Sequence, residues 1–233
     1  MKLTQLLTAT LLLTASAAAL AQRQTTPNTG TGTGNERNAY NLIRESTYSR
    51  YVTFNGSVRY GIGMPMGTSR NYIDKLSPTN VIATMEWQFP RRFSLGVQTG
   101  YQYSQQRIPR QVYDLGDGES ISAVQTRTLT ITPAMATASY YFSDPAAAIR
   151  PYVQLAGGGA FVNYTNFYGT LADSDKKFAG AFAPAIGLKL FGKREGGLGG
   201  EVQAQYQTIM YKYNEINNAQ NLLLSAGLTF RFY

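Results

Sequence analysis

Along residues 93–103 the chain changes character at every step: Phe93, Leu95, Val97, Tyr101 and Tyr103 alternate with Ser94, Gly96, Gln98, Gly100 and Gln102. A period of two is the signature of a β-strand with one apolar and one polar face. The same pattern recurs in Val202, Ala204, Tyr206 and Met210 against Glu201, Gln203, Gln205 and Gln207. It returns in the last residues, where Leu222, Leu224, Ala226, Leu228, Phe230 and Phe232 alternate with small or polar residues and Arg231. Eight such runs are expected, at Tyr51 to Gly63, Thr79 to Phe89, Phe93 to Gln106, Gln125 to Phe142, Arg150 to Asn166, Phe178 to Phe191, Gly197 to Met210 and Ala219 to Tyr233. Each is long enough to cross a bilayer as a tilted strand, which takes about 9 to 11 residues. Pro133 and Pro184 fall inside two runs, where they cannot donate a ladder hydrogen bond, so bulges are expected there.

The connections set the orientation. Pro90 to Arg92 and Gly192 to Gly196 are short, whereas Met64 to Pro78, Arg107 to Val124 and Phe167 to Lys177 read as longer loops. Short turns on one side and long loops on the other fit an outer-membrane barrel with its short side in the periplasm. Aromatics gather near both strand ends. Trp87, Phe89, Phe93, Tyr141, Phe142, Phe191, Phe230 and Phe232 are expected in the girdle on the short-turn side, and Tyr60, Tyr101, Tyr103, Phe161, Phe178 and Tyr211 in the outer one.

Ahead of the strands, a basic start at Lys2, a short apolar stretch from Leu6 to Leu20 and Ala19-Leu20-Ala21 read as a cleavable secretory signal over residues 1–21. Residues 22–50, rich in Thr, Asn and Gly, read as a flexible periplasmic segment, and 51–233 as one barrel domain. No later segment approaches 18 unbroken apolar residues.

Composition narrows the chemistry. The chain has 233 residues, 15% of them charged and a net charge of +8, against about 25% charged in ordinary soluble domains. The polar strand faces are therefore built from Gly, Ser, Thr and Gln. A secreted soluble barrel would have to turn that nearly uncharged face to water, which counts against it. Cysteine and histidine are both absent, which excludes disulfides, thiolate metal sites and a histidine-activated serine. No catalytic, cofactor or metal residue is expected. Asp114, Asp117, Gly118 and Glu119 do not match the EF-hand spacing and read as turn residues.

The strand-borne charges Arg59, Glu86, Lys189, Glu201 and Arg231 all fall on the polar set and are expected as a compensated cluster in the lumen. Lys189 and Glu201 should face each other across a hairpin, with Arg231 turned toward Glu201. Arg59 facing lipid would cost about 2 to 4 kcal/mol, so it points inward with Asn55, Ser57 and Gly61. An eight-stranded barrel is just wide enough for side chains to fill. Gln98, Gln102, Gln203, Gln205, Gln207 and Tyr152 join the charges there, which predicts a plugged or very narrow lumen.

Arg150-Pro151-Tyr152-Val153-Gln154-Leu155-Ala156-Gly157-Gly158-Gly159, Ala138-Ser139-Tyr140-Tyr141-Phe142 and the ending Gly227-Leu228-Thr229-Phe230-Arg231-Phe232 together resemble the outer-membrane β-barrel domain family of small OmpA, OmpX and OmpW-type, porin-like barrels. The resemblance covers Tyr51 to Tyr233 and implies an all-β, eight-stranded antiparallel transmembrane β-barrel in the cell outer membrane. It also implies that Leu228, Phe230, Phe232 and Tyr233 form a C-terminal signal for the barrel-assembly machinery; here Phe232 holds the aromatic register and Tyr233 follows it. The expected partners are outer-membrane lipids and an external ligand at the long loops, with no nucleic acid, for a monomer in a structural or surface-interaction role. OmpW-like passage of small solutes or apolar molecules is the alternative; it needs an apolar pocket toward the loops, which the sequence does not display. Arg91, Arg92, Lys193 and Arg194, at the short turns, are placed to meet phospholipid headgroups.

Overall fold

The computed structural model describes residues 52–232 apart from 91, 117–118, 146, 169–170, 193–196 and 215. Eight antiparallel strands form a closed ring in sequence order: β1 (Thr53–Met66), β2 (Ser77–Gln88), β3 (Phe93–Gly116), β4 (Glu119–Tyr141), β5 (Ile149–Tyr168), β6 (Leu171–Phe191), β7 (Leu198–Tyr213) and β8 (Ile216–Phe232). A four-residue helix, α1 (Ser69–Tyr72), sits in the β1–β2 connection. The ring closes through an unshifted β1–β8 register running from Phe54 opposite Phe232 to Met66 opposite Gln220. Closure removes the free sheet edges, which is what lets strands with one apolar face stand in lipid. The signal peptide, the 22–50 segment, Tyr233, Arg91, Lys193 and Arg194 lie outside the described residues.

The faces divide as the alternation requires. Val58, Leu95, Val97, Val202 and Leu228 point outward and are exposed, while Ser57, Arg59, Gln98, Gln203 and Arg231 point inward and are buried. Three aromatics depart from the expected girdles. Tyr141, Phe191 and Tyr211 share parity with the inward sets of their strands and are buried in the lumen. Phe54, Trp87 and Phe232 form an outward cluster near the short turns, with ring centroids 5.9 and 6.1 Å from Phe54. Phe161 and Phe178 pack at 4.8 Å toward the other end.

Two expectations about the ladder are corrected. Pro133 and Pro184 produce no bulge. Pairing on both sides of Pro133 keeps one register, from Thr99 opposite Ala134 to Gln102 opposite Ile131, and the Thr99 hydroxyl donates to the Pro133 carbonyl at 3.0 Å. Around Pro184 the register likewise holds from Phe182 opposite Thr208 to Ala185 opposite Gln205. A missing N–H interrupts a bond without inserting a residue, so the closed ring absorbs it. The register shifts fall elsewhere, between Gly61 and Gly63, Ile108 and Gln111, Asp114 and Gly116, and Ile209 and Lys212.

The second correction concerns the long loops. Arg107 to Val124 and Phe167 to Lys177 are largely strand: β3 and β4 stay paired up to Gly116 opposite Glu119, and β5 and β6 up to Tyr168 opposite Leu171. The asymmetry between the barrel's two ends therefore comes from overhanging hairpins and the α1 segment. β3 to β6 rise as a tall wall on one side of the mouth.

Candidate functional site

The lumen is the candidate site, and its lower part is a polar network. Glu86, 1% exposed, is held by four donors: Tyr141 Oη at 2.6 Å and Lys189 Nζ at 2.7 Å on one oxygen, Ser139 Oγ and Gln154 Nε2 at 3.2 Å on the other. A buried carboxylate is tolerable when paired and hydrogen-bonded in this way. The register does place Lys189 opposite Glu201, but the ammonium reaches across to Glu86. Glu201 is instead paired with Arg59 and accepts the Tyr152 hydroxyl at 2.5 Å. Arg59 and Glu201 both stand opposite Gly227, on the strand between them, and their ion pair spans that strand. A Cβ at Gly227 would meet the Val58 carbonyl at 2.0 Å, so the close approach of β1 and β8 there requires glycine.

Arg231 turns inward as expected but away from Glu201. It donates to Asn55 Oδ1 at 3.2 Å and to the Pro145 carbonyl at 3.0 Å, and stacks over Phe191 at 4.1 Å. Arg150 is a lumen cation absent from the expected set. It is fully buried, donates to Gln88 Oε1 at 2.8 Å and lies 4.1 Å from the Tyr141 ring centroid. Its place at the start of a strand, next to a proline, hid its face. Leu228, Phe230 and Phe232 all face outward.

The level of each bond matters more than its strength. In a ring of eight, β2 and β6 stand on opposite sides, as do β3 and β7. The Lys189–Glu86 bond therefore crosses the lumen, and so do Gln98 to Gln205 at 3.1 Å and Gln102 to Gln207 at 2.7 Å. These are three tiers of direct side-chain contact across the lumen. Above them the lumen turns apolar, lined by Leu129, Ile131, Val162, Ile209 and a run of alanines on β6.

That apolar chamber is the feature the alternation did not reveal, and the protein fills it itself. Tyr72 and Ile73, at the end of α1, are each 1% exposed within it. The Tyr72 ring stacks on Tyr164 at 4.5 Å, its hydroxyl donates to the Thr165 carbonyl at 3.0 Å, and Arg127 donates to the Asn71 and Tyr72 carbonyls at 3.2 Å. Thr68 donates to the Asn217 carbonyl at 2.6 Å, and the Gln220 amide donates to Ser69 Oγ at 2.8 Å, so the segment is sewn to β8 at its other edge. Burial pushes the Tyr72 phenol well above its usual range, which keeps it a donor at any physiological pH.

No family model and no curated protein matches the sequence. Among solved structures the chain is similar to Neisserial surface protein A, at 12% identity over 78% of this chain and 97% of that one, with a TM-score of 0.49. It is similar to Ail, the attachment invasion locus protein of Yersinia pestis, at 12% identity over 78% and 97% with a TM-score of 0.41. It is similar also to the N-terminal β-barrel domain of Pseudomonas aeruginosa OprF, at 14% identity over 76% and 97% with a TM-score of 0.39.

Proposed function

We propose that this protein is a non-enzymatic barrel of the outer membrane whose lumen is closed, and which serves the envelope through its structure and its outward hairpins. The observation that carries this is closure across the diameter at successive levels, by Glu86–Lys189, Gln98–Gln205 and Gln102–Gln207 below and by Tyr72 above. Membrane insertion is supported by the belt of exposed Val, Leu, Phe and Tyr around a charge-poor wall. The absence of histidine and cysteine supports the non-enzymatic reading, because the usual activated nucleophiles are missing. The barrel-assembly machinery would read Leu228, Phe230, Phe232 and Tyr233, and the tall β3–β6 wall would present any surface for an external ligand. The barrel acts as a monomer. Purified protein in a planar lipid bilayer is expected to stay silent; stable conductance of solute-sized ions would overturn the proposal.

One observation favours a second reading, in which small apolar molecules enter the barrel. The outer half of the lumen is an apolar chamber facing the hairpins. Tyr72 and Ile73 occupy it, so this reading requires their displacement. The closed reading requires none.

A further inference from the structure

The outer wall carries a trough that the closed lumen does not explain. A row of directly opposed outward residues runs from strand to strand: Phe93, Tyr140, Val153, Ile186, Ala204 and Leu224. They line one side of an apolar depression of about 750 Å³ on the lipid-facing surface, with Leu155, Pro184 and Tyr206 in the neighbouring row. Ala138 and Ala204 are the small residues in its lining, and Phe93, Tyr140 and Tyr206 the bulky ones. The strands tilt, so the row climbs as it passes round the barrel. Phe93 begins β3 at the short-turn side, whereas Leu224 lies well up β8. The climb is about 19 Å if each residue rises ~3.3 Å at a ~45° tilt, a little more than one leaflet of a ~30 Å hydrocarbon core.

The lower end of the trough meets a cation. Arg92, next to Phe93, sits in the left-handed region at φ 62° in the turn before β3. Its side chain is 42% exposed, and the guanidinium is paired with Asp144 and donates to the Phe142 carbonyl at 3.3 Å. Asp144 engages Nε and one Nη2 hydrogen, Phe142 takes one Nη1 hydrogen and the Tyr140 hydroxyl also accepts from the guanidinium, so one of the five guanidinium N–H groups remains for another acceptor. An apolar trough about a leaflet long that begins at a half-exposed guanidinium matches one occupant. We infer that a single phospholipid of the periplasmic leaflet docks here, with one acyl chain along the Phe93-to-Leu224 trough and its phosphate on Arg92. Arg92 and Asp144 form the headgroup end, since the carboxylate aims the guanidinium while leaving a donor for the phosphate.

This inference rests on the barrel spanning a membrane, and the test separates the two. Protein is reconstituted in phosphatidylglycerol nanodiscs, insertion is confirmed by heat-modifiable migration, and retained phospholipid is counted by native mass spectrometry after mild detergent extraction. Wild type should keep one phospholipid per barrel. Ala204→Leu fills the trough from the outside and should lose it, while Ala83→Leu, an outward substitution on β2 outside the trough lining, should keep it. Arg92→Asn suits the left-handed turn yet removes the charge, and should lower retention about tenfold, the scale of one charge-assisted hydrogen bond. Asp144→Asn keeps the cation and should retain lipid at least as well as wild type. Inserted wild-type protein that keeps no phospholipid, or Ala204→Leu protein that keeps as much as Ala83→Leu, overturns the inference and leaves the transmembrane reading standing. Equal retention by Arg92→Asn and wild type overturns the phosphate contact.

Discussion

Among individual residues the strongest constraint is the buried charge at Glu86. Four donors converge on it, and its ionic partner Lys189 is equally buried, so neither charge has solvent to fall back on. Glu86→Ala would strand the ammonium between the Tyr141 and Tyr152 rings, 5.5 and 5.4 Å away. Removing one partner of a buried pair costs about 3 to 5 kcal/mol, whereas replacing both by apolar groups is often near neutral. Urea unfolding from phospholipid vesicles should therefore show that loss for Glu86→Ala and recovery of most of it in the Glu86→Leu/Lys189→Met double variant. A single variant that costs less than about 1 kcal/mol would mean that Glu86 is not the centre of the network. The charges at this scale were legible in the sequence as an inward set, because exposing Arg59 to lipid is too costly. Their pairing was not. Facing residues on adjacent strands, Lys189 and Glu201, looked like natural partners, but in so narrow a lumen a long side chain reaches the opposite wall as readily as its neighbour.

Strands were legible wherever one face was polar. The alternation fails on β6, where Ala179, Ala181 and Ala183 face in while Phe178 and Phe182 face out, so both faces are apolar and the chamber leaves no mark on the pattern. Aromatic identity misled in the same way: Tyr141 and Tyr211 look like girdle residues, and only strand parity shows them pointing inward. The helix α1 spans four residues, too few for a helical period, and its N-cap Thr68 makes no side-chain cap; it exists because Tyr72 and Ile73 bury themselves. That dependence is testable. Tyr72→Ala gives up about 1.5 to 3 kcal/mol of burial and about 0.5 to 1.5 of ring stacking. Trypsin cleavage at Arg70 and Lys75 should then speed up at least about tenfold, while the barrel keeps its heat-modifiable migration. Unchanged cleavage would show that the segment is held by its edges, through Thr68, Ser69 and Arg127, rather than by the inserted ring.

On the proposed closed reading, the whole molecule places two unlike barriers in series. The lower one is made of hydrogen bonds thrown across the diameter; the upper one is an aromatic ring inserted from the mouth. On that reading each should stop a hydrated ion, the first by filling the bore and the second by offering too few polar partners to replace the hydration shell. Conductance should therefore respond to damage in a non-additive way. Tyr72→Ala with Ile73→Ala should leave a planar bilayer silent, because the glutamine pairs still close the bore below. Gln98→Ala with Gln102→Ala should also stay silent, because Tyr72 and Ile73 still close the mouth. Only the four substitutions together should open a conducting path, read as discrete current steps after insertion. Current from the Tyr72/Ile73 variant alone would show that the polar tiers are permeable and that the α1 segment is the gate of a channel, the result most damaging to a closed barrel.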